Sequence, residues 1–325
     1  MDKLHKSGYL CNDQQIFLLR RVAAEEGSTK GSSLIEIATA GGLSADILPD
    51  AGLDLGQVRY KGTNVAFISQ NGYDSPAAVL PYENEFLHTF PGGMLYTGGL
   101  RSTGPANRDG DEWHPLHGRY HSLRADHVCT DVKNDEIIVS GVMRETALFG
   151  PVLQLKRTIR IPIFGASLTV SDEITNLSHT AQEYAVLYHC NFGYPFISEK
   201  AHAELPADRK TTPRTPFAST GIGRECTFDR PAVGEEERVF FHENMEHRAA
   251  LVNEDLGIRM AMHWSDSLPI LAHWRSMASG TYVCGLEPTN CYIMGRSAER
   301  KNGTLPVLSP FETVRTEVSF RFDTI

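Results

Sequence analysis

A cluster of histidines between residues 111 and 121 is the first place where the sequence could support chemistry. His114, His117 and His121 lie within eight residues of one another. On a helix, His117 and His121 would share a face and could bind a metal ion. Pro115 and the glycine that follows His117 argue against a helix, because proline removes a backbone donor and glycine favours turns. A loop in which one histidine faces a pocket and the others face water is the alternative.

A further histidine, His189, follows an alternating apolar run at residues 184–188. Alternation with a period of two is typical of a β-strand, and it places His189 on the same face as Leu187 and Ala185. Residues 190–195 then form a polar and aromatic turn. A histidine at the end of a strand beside such a turn suits a cleft, and the same pattern also fits a core histidine whose ring binds the backbone.

Glu287 closes another apolar run, residues 282–286, and stands directly before Pro288. A buried carboxylate costs free energy unless it is paired with another group or used in chemistry, because burial removes its hydration. Glu287 is therefore a candidate acid or base. The alternative is a glutamate that emerges into solvent where the strand ends.

Two other segments contain residues that often bind ligands. Asp46, Asp50 and Asp54 are spaced four apart, but Pro49 interrupts any helix, so turn capping is their expected role. Residues 90–99 are rich in glycine but lack both the GxxxxGK pattern and a GxGxxG pattern after a strand. The sequence therefore predicts no phosphate-binding loop of either type, and the glycines are expected to let the backbone approach closely.

Short alternating runs separated by turn residues dominate the rest of the chain. Such runs predict half-buried antiparallel strands. The clearest are residues 33–40, 136–142, 153–161, 166–174, 184–188, 282–286 and 314–322. Residues 14–26 are apolar enough for a helix or a strand, and their spacing does not decide between the two. The pattern predicts an all-β protein in which residues 1–325 form a single large antiparallel β-sandwich, with two all-β domains as the alternative.

Composition and charge limit the classes of partner. The 325 residues carry 31 Lys and Arg against 40 Asp and Glu, a net charge of −9, so long-range repulsion disfavours nucleic acid. No apolar run approaches the roughly 20 residues that cross a bilayer, and no secretory signal is expected from the polar first residues. The six cysteines have irregular spacing and no CxxC pair. They favour reduced thiols and a cytoplasmic location over a disulfide framework or a zinc site.

Several short motifs, taken in their order along the chain, resemble those of aldose 1-epimerases, the galactose mutarotase-like family. They are PDxGLD at 49–54, GGM at 92–94, TGGL at 97–100, LHGR at 116–119, EITN at 173–176, LYHCNFGYP at 187–195, LP at 268–269, HWR at 273–275 and GLEPT at 285–289. The resemblance extends from about residue 14 to residue 322 and is strongest to the branch that includes deoxyribose-mutarotase-like proteins. It implies a large antiparallel β-sandwich, a supersandwich, and favours a strand over residues 14–26.

The resemblance also implies a set of catalytic residues. In galactose mutarotase a histidine in a similar His-Gly segment contacts the sugar near its ring oxygen, and His117 matches it. The general acid is a histidine at the end of a strand, matched by His189. The general base is a glutamate at the end of a late strand, matched by Glu287. The implied reaction interconverts the α and β anomers of a free sugar by acid–base opening and closing of the ring, with no metal and no cofactor.

The residues that would bind the sugar match less closely. The sequence lacks the early Gly-Arg-x-x-Asn-Arg segment that supplies a substrate arginine in galactose mutarotase, so another arginine is expected to hold the sugar hydroxyls. Asp266 lies near the place of a substrate aspartate, and an aromatic ring is expected to stack on the sugar. The candidates for binding the small-molecule sugar are Arg101, Arg119, Asn191, Asp266, Trp274 and Arg275.

Two other functions remain compatible with the sequence. A metal-dependent sugar isomerase would use His114, His117 and His121 together with a carboxylate. A non-catalytic carbohydrate-binding protein of the same fold would keep the cavity without turnover. His189 and Glu287 favour catalysis, because binding alone does not require an acid and a base.

Overall fold

The computed structural model describes residues 1–74 and 81–325, and β-strands make up most of it. The first strands are β1 (Leu18–Ala23), β2 (Ser33–Ala38), β3 (Leu43–Leu48), β4 (Asp54–Tyr60), β5 (Thr63–Asn64), β6 (Tyr96–Leu100), β7 (Asn107–Asp109) and β8 (Glu112–His114). The next are β9 (Asp126–Lys133), β10 (Glu136–Thr146), β11 (Val152–Pro162), β12 (Ser167–Asn176), β13 (Gln182–Glu183), β14 (Ala185–Gly193), β15 (Ala201–Glu204) and β16 (Lys210–Pro213). The last are β17 (Arg238–Glu243), β18 (Arg248–Asn253), β19 (Ile258–Trp264), β20 (Ile270–Ala278), β21 (Thr281–Thr289), β22 (Val307–Leu308) and β23 (Thr313–Thr324).

The helices in the described ranges are short. They are α1 (Asp2–Lys6), α2 (Phe86–Thr89), α3 (Pro216–Ser219) and α4 (Arg296–Asn302), with 3-10 turns at Asp13–Gln15 and Tyr120–Ser122. Within residues 1–74 and 81–325, no helix has the length and apolar character needed to cross a membrane.

Two large antiparallel sheets form the body of the fold. Eight strands are hydrogen-bonded in the order β15-β18-β19-β23-β12-β11-β10-β9, and six in the order β16-β17-β20-β21-β14-β6. A third sheet contains β1 to β5 in sequence order, and β13–β22 and β7–β8 form two small pairs. The neighbouring strands of the two large sheets run antiparallel. The all-β, antiparallel prediction is therefore confirmed.

The alternating runs form strands because every second side chain enters a shared core. On β12, Leu168, Val170 and Ile174 are fully buried while their neighbours are only half-buried. One continuous cluster of apolar side chains joins this sheet to the six-stranded sheet through Phe192 and to the five-stranded sheet through Ile35. Burial of so much apolar surface is the main force that holds the three sheets together.

Residues 14–26, which the resemblance assigns to a strand, contain β1 after a 3-10 turn. β1 pairs with β2 in a regular antiparallel register from Leu18 opposite Ala38 to Ala23 opposite Ser33. It forms one edge of the five-stranded sheet, and its side chains are exposed or half-buried. An edge strand buries little surface, which explains why the apolar spacing of this segment is ambiguous.

A buried polar network crosses the core and reaches β14. The Arg157 guanidinium is fully buried and donates to the carboxylates of Asp172, at 2.7 Å, and Asp54. The Tyr188 hydroxyl donates to Asp172 at 2.6 Å. Asp54, expected to cap a turn, therefore belongs to a buried ion pair. Because Tyr188 directly precedes His189 on β14, the network holds the strand that carries this histidine.

Candidate active site

His189 lies on β14, the strand next to the edge strand β6 in the six-stranded sheet. β14 is hydrogen-bonded to β21 on one side and to β6 on the other, and all of its residues are buried. Because side chains alternate along a strand, Tyr188 faces the core network while His189 and Asn191 share the opposite face. His189 lines a cavity on that face, so the cleft interpretation applies.

Asn191 determines how the His189 ring is protonated. The Asn191 side-chain nitrogen donates to the carbonyl oxygens of Gly93, at 3.1 Å, and His189, at 2.9 Å. Its Oδ1 must therefore act as an acceptor, and it lies 2.6 Å from His189 Nδ1. An acceptor at this distance requires a hydrogen on Nδ1, so the neutral ring carries its lone pair on Nε2. His189 thus keeps Nε2 for a second partner.

Glu287 is brought beside His189 by β21. Its Oε1 lies 3.2 Å from His189 Nδ1, and it makes no hydrogen bond with any residue in the described ranges. Gly285 makes room for the carboxyl group, because a Cβ at that position would lie 2.3 Å from Oε1. A buried carboxyl oxygen without a partner is costly, so this atom is a natural place for a ligand hydroxyl to donate.

Burial shifts the pKa values of this pair in opposite directions. Loss of hydration lowers the pKa of His189 to about 4. The same effect, with a smaller contribution from the charge of Glu237, raises the pKa of Glu287 well above its ordinary value. Opposed shifts in a neighbouring acid and base are typical of catalytic sites, because they let one proton move between the groups near neutral pH.

His117 is the second histidine of the site. Its ring lies 5.4 Å from the His189 ring, centroid to centroid, in an edge-to-face arrangement. The backbone N–H of Gly104 donates to His117 Nδ1 at 3.3 Å, so Nε2 carries the hydrogen when the ring is neutral. Burial lowers the pKa of His117 well below its ordinary value. His117 is thus a neutral donor that lines the same cavity.

The cavity has the size and walls of a small-molecule site. Its volume is about 330 Å³ and its lining includes all three candidate catalytic residues. Phe86, Phe90 and Trp274 contribute apolar walls, and the Trp274 indole N–H donates to Glu237 at 2.8 Å. Aromatic rings that are fixed in this way can stack on the apolar face of a sugar, while the polar groups bind its hydroxyls.

Two arginines proposed from the sequence lie elsewhere. Arg101 forms an ion pair with Glu112, and Arg119 lies 3.6 Å from the same carboxylate and donates to the carbonyl oxygen of Trp113 at 2.6 Å. Both line a separate surface cavity of about 270 Å³. The structure therefore does not bring Arg101 or Arg119 to His189.

Arg275 and Asp266 are also outside the cavity, whereas Trp274 lies inside it. Arg275 lies one residue after Trp274 on β20 and therefore faces the other side of the sheet. There it donates to the carbonyl oxygen of Arg224 at 3.0 Å. The Asp266 side chain is fully exposed and lies 2.9 Å from His247. Arg275 is outside the cavity because side chains alternate along β20. Asp266 is outside it because this residue lies in the loop between β19 and β20.

The other histidines of the 111–121 segment do not join His117. His114 is buried, with its Nε2 3.9 Å from Glu112, and His121 packs with its ring 4.8 Å from that of Tyr96. Among residues 1–74 and 81–325, no group of three His, Cys, Asp or Glu side chains is arranged to hold a metal ion. The expected loop, with one histidine facing a pocket and the others facing water, describes the segment only in part. His114 ends β8, His121 lines a separate cavity, and all three histidines are buried.

Arg214 and Glu237 line the cavity and were not among the sequence candidates. Arg214 follows the edge strand β16, and Glu237 precedes β17. Both lie in charged stretches of the sequence, and such stretches are usually solvated surface. Each residue is one position away from the end of a strand, Arg214 after β16 and Glu237 before β17. The sequence gives no signal that these two strands pair, so it could not identify the two residues as part of one cavity.

The fold is that of the galactose mutarotase-like proteins. The chain superposes on a candidate aldose 1-epimerase from Klebsiella pneumoniae with a TM-score of 0.88, at 23% identity over 96% of this chain and 86% of the other. A galactose mutarotase-like protein from Clostridium acetobutylicum gives a TM-score of 0.66, at 16% identity over 96% and 100% of the two chains. Galactose 1-epimerase from Lactobacillus acidophilus gives 0.62, at 14% identity over 95% and 99%.

The sequence places the chain more narrowly within this fold. Residues 29–322 match the family described as a domain of unknown function, DUF4432, and the chain belongs to that family. No curated protein matches the sequence. The structural neighbours, at these identities, define the fold and not the activity.

Proposed function

We propose that this protein is an aldose 1-epimerase, which interconverts the α and β anomers of a free sugar. The observation that carries the proposal is the pair formed by His189 and Glu287, 3.2 Å apart and lining one cavity of about 330 Å³. Anomer exchange needs a proton removed from the O1 hydroxyl and a proton delivered to the ring oxygen. Both oxygens are bonded to the same carbon, so the acid and the base must lie side by side.

Ring opening uses the two groups in concert. In the reactive form, the one exchangeable proton of the pair has moved from Glu287 to Nε2 of His189. The Glu287 carboxylate then takes the proton from O1, and the His189 imidazolium gives its Nε2 proton to the ring oxygen. The bond between C1 and the ring oxygen breaks while the C1–O1 bond becomes a carbonyl. Glu287 is then a carboxylic acid and His189 is neutral. Rotation about the C1–C2 bond presents the other face of the aldehyde, and the reverse proton transfers close the ring and restore the starting enzyme.

His117 and the aromatic walls supply orientation. The neutral His117 ring can donate its Nε2 hydrogen to the ring oxygen, which stabilises the negative charge that develops as the C1 bond breaks. Trp274 and Phe90 flank His189, with ring centroids 5.3 Å and 5.5 Å from the imidazole. They can hold the sugar ring against the acid and the base, and such positioning contributes to the rate without further chemistry.

The identity of the sugar belongs to the same proposal. The resemblance to deoxyribose-mutarotase-like proteins makes 2-deoxyribose one candidate, and the cavity volume also admits a hexose. NMR exchange between anomers can be measured for pentoses, deoxypentoses, hexoses and uronic acids against the uncatalysed rate. We expect at least one class to exchange faster with the protein than without it.

The decisive comparison uses Glu287→Gln, which keeps the size of the side chain and removes the base. Each acid or base contributes about 10²–10⁴ in rate, so Glu287→Gln should lose at least about 100-fold. Glu299→Gln is the matched control, because Glu299 is as buried as Glu287, at 1% exposure, but lies on α4 outside the cavity. Full activity in Glu287→Gln would remove this residue from the mechanism. Binding of sugar by the wild-type protein without any exchange would favour a carbohydrate-binding protein.

A further inference from the structure

Arg214 enters the cavity from the edge of the six-stranded sheet. It directly follows β16, and its backbone N–H donates to the carbonyl oxygen of Val239 at 2.9 Å, which continues the pairing of β16 with β17. Val239 is opposite Trp274, and Trp274 is opposite Gly285. Residues that face each other across neighbouring strands point to the same side of a sheet. Arg214 therefore lies on the same face of the sheet as Trp274 and Gly285. Glu287 is two residues after Gly285 and shares this face, and Arg214 lines the cavity.

The guanidinium group of Arg214 is unpaired within residues 1–74 and 81–325. Its side chain makes no hydrogen bond and no ion pair with any residue in the described parts of the chain. The cavity arginine thus differs from Arg157 and Arg296, which are buried and paired with carboxylates. A half-buried guanidinium loses hydration that only an acceptor can restore. Because the described residues supply no acceptor, a bound ligand with an anionic group can serve as one.

Arg214 supplies the lasting positive charge among the described residues that line the cavity. Among the described residues that line the cavity it is the one arginine, and none of them is a lysine. Burial holds the pKa values of His117 and His189 low, so neither ring supplies a lasting positive charge. The carboxylate of Glu237 is the exposed anion of the lining, and it is bound by the Trp274 indole at 2.8 Å.

We propose that the cavity selects an aldose that carries an anionic group, a carboxylate or a phosphate, and that Arg214 binds this group. The inference rests on the proposed function, because it assigns the anomeric carbon to His189 and Glu287. A planar guanidinium donates two parallel hydrogen bonds to a carboxylate or a phosphate, which a neutral hydroxyl cannot accept. Arg214 is thus a specificity-determining residue rather than a catalytic one.

The shape of the surface also fits a substituent at the end of the sugar remote from C1. A groove of about 550 Å³ continues outward from the cavity and shares Arg214, Glu237 and Val239 with it. A sugar whose anomeric carbon faces Glu287 therefore has room to extend its far end past Arg214. This space accommodates the carboxylate of a hexuronic acid or the larger phosphate of a hexose 6-phosphate.

The test compares three sugars of the same ring size: glucose, glucuronate and glucose 6-phosphate. For each, kcat/KM of anomer exchange is measured by NMR with the wild-type protein and with Arg214→Gln. We expect the preferred anionic sugar to exceed glucose by about tenfold or more, on the scale of a charge-assisted hydrogen bond. Arg214→Gln should remove this preference, because it should lower kcat/KM about tenfold more for the anionic sugar than for glucose. The two anionic sugars distinguish a carboxylate from a phosphate.

Two further variants isolate the role of charge at this position. Glu237→Gln removes the neighbouring anion and should increase the preference for the anionic sugar. Arg230→Gln is the matched control for loss of a positive charge, because Arg230 is 83% exposed and pairs with Glu199 outside the cavity. It should leave the preference unchanged. A preference for glucose in the wild-type protein, or an equal loss for all three sugars in Arg214→Gln, would overturn the assignment of Arg214.

Binding separates failure of this inference from failure of the proposed function. If no sugar exchanges faster than in buffer, the epimerase proposal fails. Titration calorimetry with glucuronate and glucose 6-phosphate still tests Arg214, since binding does not need the acid and the base. Binding of either anion that weakens about tenfold in Arg214→Gln supports the inference. Equal affinity in the two proteins, or no binding of either anion, contradicts it.

Discussion

The Oδ1 atom of Asn191 lies 2.6 Å from the Nδ1 atom of His189, and the two amide hydrogens of Asn191 are directed to backbone carbonyl oxygens. This arrangement gives the imidazole a single neutral form, with Nδ1 protonated and Nε2 free. The sequence predicts Asn191 as a residue that binds the sugar, whereas its contacts in the structure support a positioning role. In the proposed reaction, Asn191 aims the catalytic nitrogen of His189 at the ring oxygen.

Substitution of Asn191 should affect catalysis more than folding. Asn191→Leu removes the acceptor that fixes the imidazole, so we expect a loss of about 10–100-fold in kcat, because small errors in the position of a catalytic group are costly. Asn191→Asp keeps the acceptor and adds a negative charge, which should raise the pKa of His189. The acid limb of the pH profile should then move to higher pH.

The positioning role of Asn191 has a spectroscopic signature. The ¹⁵N chemical shifts of His189 should report a protonated Nδ1 in the wild-type protein and a mixture of tautomers in Asn191→Leu. Asn290→Asp is a suitable control, because Asn290 is also buried and binds backbone atoms but does not contact His189. An unchanged pH profile in Asn191→Asp would show that Asn191 acts only through packing.

The opposed pKa shifts of His189 and Glu287 predict a bell-shaped pH dependence. Between the two values the pair holds one exchangeable proton, which can lie on Glu287 or on Nε2 of His189. Below about pH 4 both groups are protonated, so no base remains. Above the raised pKa of Glu287 neither group is protonated, so no acid remains. The apparent values belong to the pair, because Glu287 Oε1 lies 3.2 Å from His189 Nδ1.

This dependence can be measured as kcat/KM for anomer exchange across the acid and alkaline ranges, after subtraction of the uncatalysed rate at each pH. We expect activity to persist well below the ordinary pKa of histidine and to fall near pH 4. In Glu287→Gln the alkaline limb should disappear together with most of the activity. An acid limb centred near the ordinary pKa of a solvated histidine would contradict the buried, neutral state of His189.

The sequence predicted the strands because these depend on local pattern, and the resemblance to aldose 1-epimerases singled out His189 and Glu287, which the structure places in one cavity. Period-two alternation is written along each strand, and His189 and Glu287 stand where apolar runs end. Arg214 was not predicted because its place depends on which strands pair across the sheet, and this pairing joins residues distant in the chain. Arg275 was one of three arginines expected to hold the sugar hydroxyls, and it lies one residue after Trp274, on the other face of β20. Neighbouring side chains on a strand point to opposite faces of the sheet, and local sequence does not determine which face holds the cavity.

Gly285 should be essential for the geometry of Glu287. A Cβ at this position would lie 2.3 Å from Glu287 Oε1 and 3.1 Å from the Cβ of Trp274, so Gly285→Ala must displace the carboxyl group. We expect a loss of about 100-fold in kcat, with the protein still folded by circular dichroism. Gly165→Ala is the control, because its new methyl group would contact only Pro162, at 3.2 Å. Full activity in Gly285→Ala would show that the acid–base pair tolerates a displaced carboxyl group.

The buried ion pairs of Arg157 should contribute more to the free energy of unfolding than an ion pair at the surface. Removing one partner of a buried ion pair leaves an uncompensated charge and costs about 3–5 kcal/mol, so Arg157→Met should strongly lower the free energy of unfolding in urea. Arg315→Met removes an ion pair with Glu173 at 3.0 Å whose arginine is 78% exposed, and it should cost less than about 1 kcal/mol. Since Tyr188 binds Asp172 and adjoins His189, kcat should fall in Arg157→Met even at temperatures where the variant remains folded. Equal stability of the two variants would mean that water or a structural shift neutralises the charges that Arg157 leaves behind.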